Sequence, residues 1–228
     1  MRTMNAAARD ETRAAFVDLV RHIAAAGWVD GSTGRASLSF PDHREAIELV
    51  EPEGAWDDLQ PYEIETVENE RESNDLWWPA WYDDLFDLHA ARPDANCIVE
   101  VHPASAMTLG LMNPGFEPRL SRDGLRFLDH RHAVVSAELS VQHAAWLPPT
   151  VEALARGARA VFLAGRSVLV VAESPAGVWE DLRRLERACQ LQRRLASAGG
   201  SVTAVPRAVA ESVAGAFDDV EGRAVDAA

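Results

Sequence analysis

From Asp10 to Trp28 the apolar residues Phe16, Leu19, Val20, Ile23 and Ala24 recur at helical spacing, with charges opposite, which predicts an amphipathic helix. Gly27, Gly31 and Gly34 then break the period. Residues 36–40 (Ala-Ser-Leu-Ser-Phe) alternate like a strand, residues 46–50 read as a second, and Pro52-Glu-Gly54 signals a turn. Residues 62–67 predict a third strand, and the charged run 68–74 a solvated loop. A helix is expected over 80–91, closed by Pro93, then a short apolar strand over 96–101 and a helix over 104–112. Strands are expected at 132–139 and 159–163, with a helix at 151–156 between them. Residues 167–172 are apolar and β-branched, as in a central strand. The longest helix, 179–198, carries a Leu182-Leu185-Ala188-Leu191 face. Beyond Gly199-Gly200 the chain becomes simple in composition and reads as a docking helix or a partly disordered tail. This order predicts one α/β domain over 1–200, a mixed sheet sandwiched between helices, with a tail over 201–228.

At 228 residues the chain is long enough for a sizeable core, and 47% hydrophobic with 25% charged is an ordinary globular balance. No window approaches a membrane span, and residues 1–13 lack the basic-then-apolar pattern of a secretory signal, so a cytoplasmic location is expected. Net charge is −14 and the arginines are scattered, which argues against nucleic acid and membrane surfaces as partners. All 22 basic residues are arginine, so there is no lysine for a Schiff base or a covalent PLP linkage. Cys97 and Cys189 sit in apolar stretches and read as reduced core residues.

The segment Arg92-Pro-Asp-Ala-Asn-Cys-Ile-Val-Glu-Val-His102 resembles the class II aldolase/adducin family, which carries Arg-Pro-Asp before a strand ending in His-x-His. Gly31-Ser-Thr-Gly-Arg-Ala-Ser37 is similar to the family's Gly-rich turn, and Glu51-Pro-Glu-Gly54 to its Thr-Pro-Thr-Gly. Residues 160–171 are similar to the strand, His-Gly turn and strand that supply a third histidine, and Leu185 to Gln190 to the helix that follows. The resemblance runs from about Asp10 to Ala198. It implies the family fold and a homo-oligomer, a tetramer by analogy. It also implies a divalent metal held by three histidines, which stabilises an enediolate as a carbon–carbon bond breaks.

This sequence departs from that pattern at most functional positions. The three metal histidines correspond to Glu100, His102 and Arg166, and a guanidinium has no lone pair for a metal. The catalytic glutamate corresponds to Trp81, the serine pair to Pro79-Ala80, the phosphate-holding threonine to Glu53, and an asparagine to Arg35. No tyrosine follows Tyr82. An ordinary sugar-phosphate aldolase is therefore not expected.

Glu100 and His102 lie two apart on a strand and share a face. They read either as an acid/base pair and part of a metal site, or as a metal-free pair bridged to Arg166. His130, His132 or His143 is a candidate replacement ligand, giving a two-histidine, one-carboxylate set suited to non-haem iron. Trp77, Trp78 and Trp81 form either an aromatic wall for a flat substrate or an interface. Arg35 and Arg166 either grip a substrate carboxylate or pair with Glu53 and Glu100. The leading expectation is a diverged lyase acting through an enolate-type intermediate on a non-phosphorylated aromatic or carboxylated small molecule, in secondary metabolism. Its cofactor is a divalent metal (Zn, Fe or Mn) or none. A non-catalytic adducin-like binding or assembly domain and a non-haem iron oxygenase are the alternatives.

Overall fold

The computed structural model describes residues 4, 6–29, 34–50, 56–69, 80–112, 115–140, 145–199 and 203–226, without the side chains of 80 and 217–226. Glu53, Trp77, Trp78, His143, most of the 68–74 run and the turn at 52–54 lie outside these residues.

Helix α1 (Ala6–Ala25) precedes the antiparallel pair β1 (Arg35–Phe40) and β2 (His43–Val50), joined at Pro41-Asp42. Strand β3 (Glu65–Glu68) follows a 3-10 turn at 61–63, which takes up the front of the expected strand. Helix α2 (Ala80–Ala91), strand β4 (Cys97–Val101) and helix α3 (Ala104–Leu111) come next. Strand β5 (His132–Val135) is shorter than its apolar run because residues 137–140 turn helical as α4 (Ala137–Ser140). There the Ser140 hydroxyl donates to the Val135 and Ser136 carbonyls and competes with strand pairing.

Helix α5 (Leu147–Ala155) starts ahead of its apolar periodicity because Pro148 and Pro149 fit a first turn, where no amide donor is needed. Strands β6 (Ala160–Leu163) and β7 (Ser167–Ala172) form a hairpin. Helix α6 (Pro175–Ser197) begins earlier than its leucine face because Ser174 caps it, its side chain accepting from Gly177 N, with Pro175 behind. Helix α7 (Arg207–Asp226) packs Ala210 and Ala214 on Leu125 and Leu128.

The strands form one sheet in the order β3-β2-β1-β4-β7-β6-β5, antiparallel except for the parallel β5–β6 pair. Side-chain alternation divides the core into two layers. Cys97, Val99 and Val101 point to α1, α3 and α6; Ile98, Leu169 and Val171 point to α2 and α5. With both faces covered, this is the expected α/β architecture with a mixed sheet. Among the described residues no helix is long and apolar enough to cross a membrane.

Candidate ligand site

Glu100 lies two residues beyond Ile98 on β4 and so faces the α2/α5 layer. The antiparallel register puts Arg35 of β1 directly opposite it, and the β6–β7 turn brings Arg166 from the other side. Oε1 of Glu100 accepts from Ser167 Oγ at 2.6 Å and from Arg166 Nε at 2.9 Å. Arg35 Nη1 stands 3.8 Å from Oε2, an ion pair longer than a hydrogen bond. Each guanidinium also lies over an indole ring. Arg35 is 5.1 Å from the Trp81 centroid at the start of α2, and Arg166 is 4.2 Å from that of Trp146, just before α5. Such contacts contribute about 1 kcal/mol each and fix the plane of the cation.

Both arginines follow a glycine in left-handed backbone, Gly34 (φ +106) and Gly165 (φ +77). A Cβ on Gly34 would also meet Val29 Cγ1 at 2.5 Å, so only glycine fits where the chain enters β1 at the site.

Burial works to raise the Glu100 carboxyl pKa, but the charges of Arg166 and Arg35 and the bonds from Ser167 and Arg166 outweigh it, leaving the group below the usual carboxylate range. Glu100 is thus a carboxylate at neutral pH and a poor proton acceptor. Burial, with the charge of Arg166, lowers the Arg35 pKa against the pull of Glu100 and Asp84. A guanidinium so shifted still holds its charge.

His102 leaves β4 half-buried. Its backbone N donates to Trp28 O at 2.8 Å, and its Nδ1 is sealed from solvent with no hydrogen-bond partner. Two of the other candidate histidines, His130 and His132, are elsewhere, which corrects their assignment as replacement ligands. His132 is on β5, three strands or about 14 Å from β4 at the usual strand spacing. It faces the opposite layer, its ring edge-on to Phe116 and Phe162, with Nδ1 2.6 Å from the Phe127 carbonyl. His130 sits beside Gly157, past the end of α5. The order of β5 in the sheet, which spacing does not reveal, decides this.

Ser167, Trp146 and Asp84 are part of the site without a sequence signal of their own. Ser167 adjoins Arg166, whereas Trp146 and Asp84 arrive through the packing of α5 and α2. Cys97 and Cys189 are free and buried, their thiols pushed up by desolvation, and hold no reactive thiolate.

The donor set does not fit the family's metal. Arg166 occupies one ligand position, Glu100 Oε1 is engaged by two donors, and among the described residues no three His, Cys, Asp or Glu side chains converge.

A family model for the class II aldolase and adducin N-terminal domain matches residues 14–193. The chain belongs to this family. This class II aldolase/adducin chain is 30% identical to alpha-adducin of Rattus norvegicus over 118 residues, which are 50% of this chain but 15% of the adducin. It superposes on an aldolase II superfamily protein from Pseudomonas syringae with a TM-score of 0.72 at 20% identity, covering 90% of this chain and 82% of that one. An L-fuculose 1-phosphate aldolase from Glaciozyma antarctica PI12 gives 0.72 at 16% identity, covering 94% and 85%. At these identities the structural likeness establishes the fold.

Proposed function

We propose that this chain is a metal-free member of the class II aldolase/adducin family, a binding or assembly domain whose ligand site is built from Glu100, Arg35 and Arg166. The observation that carries the reading is Arg166 Nε donating to Glu100 Oε1 at 2.9 Å, across two positions that the family resemblance assigns to metal ligands. A cation supplied by the chain itself stands there, balanced by a carboxylate of lowered pKa and held by Trp146. The stretch of 30% identity to alpha-adducin agrees with such a role.

The test is metal content by mass spectrometry on tag-free protein, before and after incubation with zinc, manganese and ferrous iron. The expected result is no stoichiometric metal and no rise in melting temperature. About one metal per chain, lost in His102→Ala, would overturn the reading. In parallel, Glu100→Gln leaves two guanidinium groups, each three-quarters buried, without their carboxylate. It should cost about 3 kcal/mol, a fall of roughly 10 °C in Tm. An unchanged Tm would mean that the ion cluster does not hold the site together.

A second reading has its own support in His102, whose buried Nδ1 lacks a partner. In that reading the chain is a lyase without a metal, acting on an aromatic or carboxylated small molecule, with His102 moving the proton and Glu100 holding the arginines in place. Turnover of such an acid that His102→Gln abolishes, with Tm unchanged, would favour it over the binding domain.

A further inference from the structure

Arg35 and Arg166 leave most of their hydrogen-bonding capacity unspent. Among the described residues the Arg166 guanidinium bonds only through Nε, and that of Arg35 makes no hydrogen bond, its one ion pair being the 3.8 Å approach to Glu100. Both terminal nitrogens of Arg166 and every guanidinium N–H of Arg35 are therefore without a hydrogen bond among the described residues. None of these nitrogens is sealed off as a buried orphan, and each side chain keeps 24% of its surface exposed. A ligand that meets this exposed quarter of either side chain meets unspent donors.

Guanidinium groups on a surface are ordinarily left to water. These two are three-quarters buried, clamped over indole rings and fixed from behind by one shared carboxylate. Rigid donors held apart from bulk water lose little entropy on meeting an acceptor. We propose that Arg35 and Arg166 together bind one carboxylate group of a small organic acid, each offering N–H donors to its oxygens. This rests on the reading above that these side chains, and not a metal, make up the site.

Charge selects the carboxylate over a phosphate. Two guanidinium groups and Glu100 leave one positive charge, and Asp84 acts on Arg35 from α2. A singly charged, planar carboxylate balances that remainder and matches the fork geometry of arginine. A phosphate near its second ionisation would bring excess negative charge beside the buried Glu100, at a desolvation cost with no counter-charge. Partly exposed Trp81 gives the entrance an aromatic surface, so the preferred acid is flat.

The experiment is a titration of the full chain with benzoate, read by calorimetry and by the arginine Nε–H signals in a proton–nitrogen spectrum. Benzamide and inorganic phosphate serve as comparison probes. Benzoate should bind saturably and shift arginine Nε–H signals. Benzamide, of the same shape without charge, and phosphate should each bind at least roughly tenfold more weakly. Arg35→Gln should weaken benzoate by a similar factor. Arg35→Lys, which keeps the charge and the fold but removes the fork, should recover only part of it. Equal binding of benzamide, tighter binding of phosphate, or unchanged affinity in both Arg35 variants would overturn the proposal. All titrations are repeated with a chelator. Benzoate binding that the chelator abolishes would overturn the metal-free reading, whereas no binding in either condition would overturn this inference alone.

Discussion

His89, at the end of α2, lies buried with Nε2 3.0 Å from Ser37 Oγ, and desolvation lowers its pKa from 6.5 to about 4. The folded chain therefore holds a neutral imidazole that the unfolded chain protonates below about pH 6.5. Because the unfolded state binds more protons between those values, stability falls as pH drops through that window, by about 3 kcal/mol for this group. His89→Leu should remove that part of the slope in melts from pH 7 to 4, even if it lowers stability at neutral pH; an unaltered slope would assign the acid sensitivity elsewhere. Glu100 acts lower on the scale. Its contribution is complete above the usual glutamate value and is lost as pH falls through its depressed folded value. The family resemblance of residues 92–102 singled out Glu100 and His102, and strand alternation, which needs only neighbours, put them on one face. Neither revealed Ser167 or Trp146 as their partners, since those contacts depend on sheet register and helix packing. His132 was drawn toward the site by its residue type alone, without knowledge of which layer β5 would face.

At the scale of elements, boundaries were readable where a local signal dictates them. Alternation marks β1, and β-branched residues mark β7. The start of α6 was not read from the sequence: the leucine periodicity pointed to residue 179, whereas the capping Ser174 and following Pro175 set it earlier. Two elements bear directly on stability and on the site. Asp181 of α6 is wholly buried and pairs with both Arg126, in the 124–127 turn, and Arg159, just before β6. Asp181→Asn leaves these cations short of a counter-charge and should cost about 3–5 kcal/mol in denaturant unfolding; a loss below 1 kcal/mol would make the cluster incidental. The β6–β7 turn carries Arg166 on a left-handed Gly165, where a Cβ would meet nothing closer than 3.6 Å. Gly165→Ala should therefore cost only the backbone preference, about 1 kcal/mol. A much larger loss would show that the turn cannot shift without breaking the Arg166–Glu100 bond.

For the whole molecule, a chain of net charge −14 places two arginines at the ends of central strands of its sheet and leaves apolar side chains exposed toward one edge. Leu111 and Ala137 both approach the Gly165 turn, and Val134, on the edge strand β5, is 51% exposed. An edge strand with apolar neighbours is a ready pairing surface. We expect a homo-oligomer, read by light scattering on a sizing column, with Val134→Lys moving the mass toward the monomer. A monomeric wild-type chain would remove that expectation.

The shared carboxylate between two capped arginines constrains how this site can change over evolutionary time. Arg166→His alone strips Glu100 of one of its two bonded partners and Trp146 of its cation, without supplying a complete ligand set. Glu100→His alone leaves two cations facing each other across β4. Each step is expected to destabilise by itself, and because the two residues are bonded to each other their effects should not add. A lineage holding either kind of site is separated from the other by a stretch of less stable intermediates. The arginine form, once reached, tends to persist because the route back passes through variants that fold less well.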